Sequence, residues 1–203
     1  MKILLVNGSP HKEGNTYLAL QEAAKTLETE GFETEIEWIG NKPVRYCIAC
    51  GACTKLSGRC TFDDDCCNRI SEKANDADGF VFGSPVYYGQ PNGGLLALVQ
   101  RMLYSNGSAF RYKPVANVAV CRRGGASAAY TTMNLPFQMM SMPIATSQYW
   151  NIVYGQKAGE AALDAEGMQT MRTMAHNLAW MIKQANGTRP EGETQAIRTN
   201  FIR

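Results

Sequence analysis

The chain has 203 residues, of which 45% are hydrophobic and 19% are charged, and its formal net charge is +2. These values are typical of a globular protein with a sizeable core, and so small a charge gives no support for a nucleic-acid partner. No apolar run is long enough to predict a membrane span or a signal peptide, so we expect a cytoplasmic protein.

Strands and helices are predicted to alternate along the chain. Buried or alternating apolar runs predict five strands, and apolar residues at helical spacing predict helices between them. The predicted strands are 2–6, 32–39, 78–84, 114–121 and 143–146, and the predicted helices are 16–30, 63–73, 92–103, 128–140 and 166–184. Asn15 or Thr16 is expected to cap the first helix, and Pro85 to end the third strand.

This alternation predicts an α/β protein with a three-layer, doubly wound, five-stranded parallel sheet. We expect one domain over residues 1–185, with a cysteine-rich insertion at 41–67 and a polar tail at 186–203. The segment 148–163 is expected to be a loop. Ligands of such sheets bind beyond the carboxyl ends of the strands, so the loops after the first, third and fourth strands are the informative ones.

The loop after the first strand is suited to bind a phosphate. Ser9 and Thr16 carry hydroxyls, Asn15 carries an amide, and the next helix directs its positive end to the same place. His11 could also contact the phosphate. The alternative is a polar turn with a good helix cap and a solvated histidine. The segment has neither the Walker spacing nor the dinucleotide-binding glycine spacing.

Three segments together resemble a known family. Asn7-Gly8-Ser9-Pro10 with Gly14-Asn15-Thr16, then Ser84-Pro85-Val86-Tyr87-Tyr88-Gly89, then Arg123-Gly124-Gly125 occur in this order along the chain. They are similar to the signature segments of the flavodoxin-like NAD(P)H-dependent flavin reductases. The resemblance extends from residue 1 to about residue 183.

The resemblance implies a site for flavin mononucleotide (FMN), with NAD(P)H as electron donor. Its phosphate would be held by Ser9, His11, Asn15 and Thr16; its isoalloxazine ring would be lined by Pro85, Val86, Tyr87 and Tyr88; its far edge would be approached by Arg123, Gly124 and Gly125. A flavin ring needs a flat wall and nearby backbone donors, and a glycine pair permits close approach of the main chain. The alternative for the two tyrosines is packing at the rim of the sheet.

Six of the seven cysteines are crowded between Cys47 and Cys67. Cys47, Cys50, Cys53 and Cys60 have the spacing C-x2-C-x2-C-x6-C, which suits a [4Fe–4S] cluster better than zinc. The motif resembles that of the iron–sulfur flavoproteins, a branch of the same family, in which the cluster passes electrons to the flavin of a neighbouring subunit. A loop of free thiols and a zinc site remain alternatives. Cys66 and Cys67 are assigned no ligand role.

We therefore expect an FMN-dependent oxidoreductase in which the flavin, and no side chain, carries the chemistry. Electrons would come from NAD(P)H or a ferredoxin-like reduced carrier and pass to a small-molecule acceptor: a quinone, free flavin, an azo or nitro compound, or oxygen. The alternative is an electron carrier between partner proteins. The family resemblance implies a homodimer or homotetramer, and no nucleic acid or membrane partner is expected.

Overall fold

A computed structural model describes residues 1–185 and 187–191. The strands are β1 (Lys2–Asn7), β2 (Glu33–Trp38), β3 (Gly79–Tyr87), β4 (Gln90–Pro91), β5 (Val115–Cys121) and β6 (Ile152–Tyr154). The helices are α1 (Asn15–Thr29), α2 (Cys67–Lys73), α3 (Gly93–Ser105), α4 (Ala126–Met139) and α5 (Ala165–Ala185). Short 3-10 turns lie at Ala52–Lys55, Gly107–Ala109 and Glu160–Leu163. Of the predicted tail, residues 186 and 192–203 lie outside the described residues.

Five strands form a parallel sheet in the order β2-β1-β3-β5-β6, and the two-residue β4 pairs antiparallel with β3. The strand order reverses beside β1, because the chain moves outward to β2 and then returns to β3 on the other side. The predicted doubly wound α/β architecture is therefore confirmed. The reversal places the loops after β1 and β3 side by side at one edge of the sheet.

Helices cover both faces of the sheet. Helices α1 and α5 pack on one face, where their apolar side chains bury those of alternate strand residues, such as Leu5 and Val81. On the other face, α2, α3 and α4 cover Phe80 and Phe82, whose rings stack on Phe110 and Phe137. Among the described residues, no helix is both long and apolar enough to cross a membrane.

The prediction that Pro85 ends the third strand is wrong. Strand β3 continues to Tyr87, and Pro85 pairs with Val120 of β5. On the other side, the pairing with β1 stops at Gly83. Beyond Gly83, β3 is therefore an edge strand on that side, where the missing N–H of a proline is tolerated.

The fifth strand was predicted in the wrong place. The predicted segment 143–146 makes only an isolated bridge, between Ile144 and Val115. The chain then leaves the sheet and returns as β6, which pairs with the end of β5 and lies within the predicted loop 148–163. Both Ile144 and β6 pair with β5. The edge strand beside β5 is therefore interrupted, and the chain between its two parts leaves the sheet.

The prediction that acidic residues form the first turn of the second helix is also wrong. Helix α2 begins at Cys67, and Asp65 precedes it and accepts a hydrogen bond from the Cys67 N–H at 3.0 Å. Asp63 and Asp64 form ion pairs with Arg59 and Arg45. The acidic run therefore fastens the cysteine-rich segment instead of extending the helix.

Candidate functional site

A cleft of about 830 Å³ opens at the carboxyl ends of β1, β3 and β5. All four predicted phosphate residues line it, together with three of the four predicted ring residues. These seven are Ser9, His11, Asn15, Thr16, Pro85, Val86 and Tyr87. The first and second signature segments therefore meet in one cavity.

A buried asparagine that was not assigned a role shapes the loop after β1. Asn7 is fully buried, and its Oδ1 accepts a hydrogen bond from the Ser9 N–H at 3.0 Å while its Nδ2 donates to the Lys12 carbonyl at 3.0 Å. The Ser9 hydroxyl in turn accepts from the His11 N–H at 3.1 Å. An asparagine between an apolar strand and a Gly-Ser-Pro turn is a signal for this arrangement.

Helix α1 begins without a side-chain cap among the described residues. Gly14 occupies the cap position, and the prediction that Asn15 or Thr16 caps the helix is wrong. The Asn15 amide instead donates to the Lys157 carbonyl at 2.9 Å and accepts from the Ala161 N–H at 3.1 Å. The first N–H groups of α1 are thus left to solvent or to an anion in the cleft.

The second signature segment forms a tight hairpin between β3 and β4. Tyr88 and Gly89 occupy its two central positions with φ of 51° and 75°, as a type I′ turn requires. Tyr87 lines the cleft, whereas Tyr88 is fully exposed and does not. A tyrosine is unusual in this backbone conformation, which favours glycine or asparagine.

The third signature segment contacts the second but lines a neighbouring cavity. Arg123, Gly124 and Gly125 border a space of about 320 Å³ beside Tyr149 and Trp150. Gly125 has φ of 85°, and a Cβ there would lie 2.9 Å from Cα of Gly89. The structure therefore brings the second and third loops together, as predicted, without placing Arg123 in the main cleft.

Several residues of the cleft were missed by the sequence analysis. Trp38, the last residue of β2, donates from its indole N–H to the Ser9 carbonyl at 2.7 Å. Arg122 lines the cleft, and neither it nor Lys12 has an ion-pair partner in the described part of the chain. Cys121 is buried in the wall, and burial raises the pKa of its thiol, which therefore stays neutral. Gly155, Gln156 and Ala158 also line the cleft.

The four predicted metal ligands lie around a second, separate cavity. Cys47, Cys50, Cys53 and Cys60 all line it. The space between them is small, about 20 Å³. In the part of the chain that the structure describes, no three Cys, His, Asp or Glu side chains are grouped as metal ligands. The thiols therefore share a cavity without forming a closed cage.

Arg101 of α3 borders the cysteine cavity and was not predicted. Its Nε donates to Sγ of Cys60 at 3.4 Å, and its guanidinium forms an ion pair with Asp65. Burial opposes the charged form of both groups, yet their hydrogen bonds outweigh it, so the pKa of Arg101 is raised and the pKa of the Asp65 carboxyl is lowered. Both side chains are therefore charged at neutral pH.

Asn68 is a second fastening of the same loop. It is buried, its Oδ1 accepts from the Cys60 N–H at 2.8 Å, and its Nδ2 donates to the carbonyls of Cys60 and Phe62 at 3.0 and 3.1 Å. Cys66 and Cys67 lie next to Asn68, at the start of α2. Burial raises the pKa of both thiols, that of Cys67 to about 12, so they remain protonated.

The chemistry of the cavity fits an iron–sulfur cluster. Four thiols face one space, an N–H group already donates to one sulfur, and Ile48 and Phe62 add apolar walls. Hydrogen bonds to sulfur and restricted solvent access are the usual surroundings of such clusters. Because the space is small, the loop would have to widen to admit one.

Residues 1–157 match the sequence profile of the NADPH-dependent FMN reductases. The chain belongs to this family. The resemblance given by the three signature segments is thereby confirmed, and with it the prediction of a flavin oxidoreductase that uses FMN. An iron–sulfur flavoprotein of Methanocaldococcus jannaschii is 33% identical over 191 residues, which cover 90% of this chain and 98% of that protein.

Several solved structures have the same fold at low sequence identity to this chain. RosB with bound 8-demethyl-8-formylriboflavin-5'-phosphate superposes with a TM-score of 0.75 at 14% identity, covering 99% of this FMN reductase family member and 92% of RosB. A flavodoxin from the domain Archaea gives a TM-score of 0.60 at 12% identity, covering 90% of this chain and 99% of the flavodoxin. These similarities confirm the predicted flavodoxin-like fold.

Proposed function

We propose that this protein is an FMN-dependent oxidoreductase that takes electrons from NAD(P)H or a reduced carrier and passes them to a quinone, free flavin, an azo or nitro compound, or oxygen. The observation that carries the proposal is the uncapped start of α1, which opens into the same cleft as the Val86–Tyr87 wall. Bound FMN would supply the reversible transfer of electrons. Clustered thiols favour a reducing compartment, so we place the protein in the cytoplasm.

The phosphate of the cofactor would occupy the α1 end of the cleft. The hydroxyls of Ser9 and Thr16 and the free N–H groups of α1 supply donors, and Lys12 supplies positive charge. Hydrogen bonds to a charged group contribute roughly 1.5–3 kcal/mol each. This end of the cleft would therefore provide most of the polar binding energy and fix the orientation of the cofactor.

The ring would lie against the second loop. Pro85, Val86 and Tyr87 would shield one of its faces from water, and Tyr87, 43% exposed, leaves room for a reactant on the other. Arg122 in the cleft, with Arg123 beside it, would favour negative charge on the near edge of the ring. Because burial keeps the Cys121 thiol neutral, it adds no opposing charge.

The phosphate assignment can be tested with Thr16→Val, which removes the hydroxyl and keeps the shape of the side chain. We expect the Kd for FMN, measured by calorimetry, to rise about tenfold, which corresponds to about 1.4 kcal/mol. The matched control is Thr29→Val at the other end of α1, where the hydroxyl bonds only the Thr26 carbonyl. Protein that stays colourless with excess FMN and gives no binding heat would contradict the proposal.

The cysteine cavity favours a second candidate, an electron carrier between partner proteins. In that case Cys47, Cys50, Cys53 and Cys60 would hold a [4Fe–4S] cluster, which stores one electron when bound. The experiment is an absorption spectrum and an iron, sulfide and zinc count of anaerobically purified protein. Bleaching of the flavin by NADH or NADPH favours the reductase, whereas bleaching only by a reduced ferredoxin favours the carrier. Zinc without iron would support a zinc-stabilised module instead.

We also propose that the protein assembles as a homodimer or homotetramer. Large apolar side chains are exposed on three of the helices, including Tyr104, Met139 and Trp180. Exposed apolar surface of this kind is often covered by another subunit. Sedimentation equilibrium of the flavin-loaded protein would determine the number of subunits, and a monomer at micromolar concentration would contradict the proposal.

A further inference from the structure

Arg101 and Asp65 form a buried ion pair at the edge of the cysteine cavity. Their side chains are only 1% and 4% exposed. Charged side chains are buried so completely only where the surroundings satisfy them. The neighbouring sulfur atoms are therefore among the groups that can satisfy this ion pair.

The guanidinium of Arg101 is held in one orientation. Its terminal nitrogens donate to the carbonyls of Arg45 at 3.1 Å and Phe62 at 3.2 Å, as well as to Asp65. These bonds leave Nε to face Sγ of Cys60 at 3.4 Å. Within the described residues, Cys60 is the one predicted ligand whose sulfur accepts a hydrogen bond, so the cavity is electrostatically asymmetric.

We propose that Arg101 is a positioning residue that raises the reduction potential of the cluster held by the four cysteines, and that Asp65 opposes it. The inference rests on the proposed cluster. Reduction adds negative charge to a cluster, and an N–H donor and a positive charge beside a ligand sulfur stabilise that added charge. A nearby carboxylate destabilises it. The buried pair thus sets the potential through two effects of opposite sign.

The two partners are expected to shift the potential in opposite directions. Arg101→Gln removes the positive charge and leaves the carboxylate, so reduction becomes at least tenfold less favourable, a fall of 59 mV for one electron. Asp65→Asn removes the negative charge and leaves the guanidinium, so the potential rises. The double variant R101Q/D65N, which buries no charge at this place, falls between them. Arg101→Lys keeps the charge and shifts the potential less than Arg101→Gln.

The experiment uses full-length protein with bound FMN, reconstituted anaerobically with ferrous iron and sulfide. Iron per chain is counted first, and the cluster is then titrated with reductant and followed by its paramagnetic signal, which is separate from the flavin absorbance. The control is Arg59→Gln. Arg59 immediately precedes Cys60, but its side chain is 45% exposed and pairs with Asp63 and Glu72, so solvent screens its charge and less than a threefold change is expected.

The outcomes are distinguishable. Iron-loaded Arg101 and Asp65 variants with unchanged potentials, or with shifts of the same sign, would overturn the inference and leave the proposed cluster intact. An Arg59→Gln shift as large as that of Arg101→Gln would also overturn it. If Arg101→Gln releases iron, the sign of the Arg101 effect is read from the double variant compared with Asp65→Asn, since these two differ only at residue 101. Unaltered protein that takes up no iron would overturn the proposed cluster and this inference together.

Discussion

The cleft proposed to bind FMN and the cysteine cavity are built in different ways. The cleft is formed by the ends of β1, β3 and β5, so its walls are held by main-chain pairing along the sheet. The cysteine cavity lies in a stretch between β2 and α2 whose regular structure is the short turn Ala52–Lys55. Its shape depends on side chains from α2 and α3. One site is set by the architecture, and the other by a few polar contacts.

The loop around the cysteines also uses unfavourable backbone conformations. Ala49 and Ser57 have φ of 53° and 49°, in the left-handed region that non-glycine residues rarely occupy. Such conformations persist only when the surrounding contacts determine them. We therefore predict that removing a side-chain contact from α2 or α3 disturbs the cysteine cavity and leaves the cleft at the ends of β1, β3 and β5 intact.

The largest effect should follow from Asn68→Ala. The change deletes the hydrogen bonds to both main-chain groups of Cys60 and to the Phe62 carbonyl. Because it leaves partly buried main-chain groups without these partners, we expect the free energy of unfolding to fall by about 3 kcal/mol. We also expect the iron content to fall and the Kd for FMN to change less than twofold, as measured by urea denaturation, metal analysis and calorimetry.

The matched control is Asn177→Ala, a half-buried asparagine of α5 whose exposed hydrogen bond goes to the Thr146 carbonyl. A surface change of this kind should cost less than about 0.5 kcal/mol. A loss of FMN affinity in Asn68→Ala as large as its loss of iron would contradict the separation of the two sites.

The converse change is Gly8→Ala, in the loop after β1 and next to Ser9 of the cleft. A Cβ at Gly8 would lie 2.6 Å from Cδ2 of Leu95 and 2.8 Å from the Gly83 carbonyl oxygen. The loop must shift away from β3, at a cost of about 2 kcal/mol in the free energy of unfolding. We expect calorimetry to detect a loss of FMN affinity of at least tenfold, while the iron content stays unchanged.

Gly93→Ala serves as the control for this substitution. Gly93 begins α3, and a Cβ there meets no atom within 4 Å. Alanine is the better helix former, so urea denaturation should give equal or slightly greater stability, by up to about 1 kcal/mol. If Gly8→Ala binds FMN normally, the close contact between β1 and β3 is not what shapes the phosphate loop.

The smallest expected effect is a loss of stability of the cysteine-rich segment at low pH. The pKa of Asp65 lies below its ordinary value of 3.8, so the carboxylate stabilises the fold above about pH 4 and that contribution is lost as the pH falls through the lowered pKa. Protonation would leave Arg101 buried without its charged partner. We expect the protection factors of the amide hydrogens in residues 41–67 to fall, as the pH drops below about 4, more than those in β1.

Asp65→Asn should flatten this dependence, because the amide does not titrate. Exposed carboxylates such as Glu30 and Asp64 also have lowered pKa values, so stability of the whole protein will still decline in acid. An equal loss of protection in both segments of the unaltered protein would mean that Asp65 is not the acid-sensitive contact of the loop.

The cleft could be predicted from sequence because its parts are local. The loop after β1 follows a strand that apolar patterning identifies, and the Ser84–Gly89 segment ends a second such strand. Arg123–Gly125, which borders the neighbouring cavity, follows a third. Prediction from sequence was wrong where strand pairing determines which residues form a strand. Pro85 remains in β3 because its other neighbour has ended, and β6 is a three-residue strand with no pattern of its own. Asn15 does not cap α1 because its amide bonds a loop 142 residues away.

The cysteine spacing identified the four thiols but not what holds them. Arg101 follows an apolar helical pattern and looks like a solvated residue on the outer face of α3. Its partners Cys60, Asp65 and Arg45 lie 36 to 56 residues earlier. Asn68 similarly looks like an ordinary residue of a short helix. The contacts of Arg101 depend on the tertiary fold, whereas Asn68 contacts residues six and eight positions earlier in an irregular loop. Neither set leaves a periodicity in the sequence.

Helix α3 connects the cleft and the cysteine cavity within one chain. Asn92 caps the helix with its side chain, and its N–H donates to the hydroxyl of Ser84, the residue before Pro85. From residue 92 to residue 101, at about 1.5 Å per residue, the helix axis spans roughly 14 Å. A displacement of the hairpin when a reactant enters would be transmitted through the Ser84–Asn92 hydrogen bond to this helix, and so to the guanidinium of Arg101 beside the Cys60 sulfur. Occupancy of the cleft should then alter how readily a cluster held in the cysteine cavity accepts an electron.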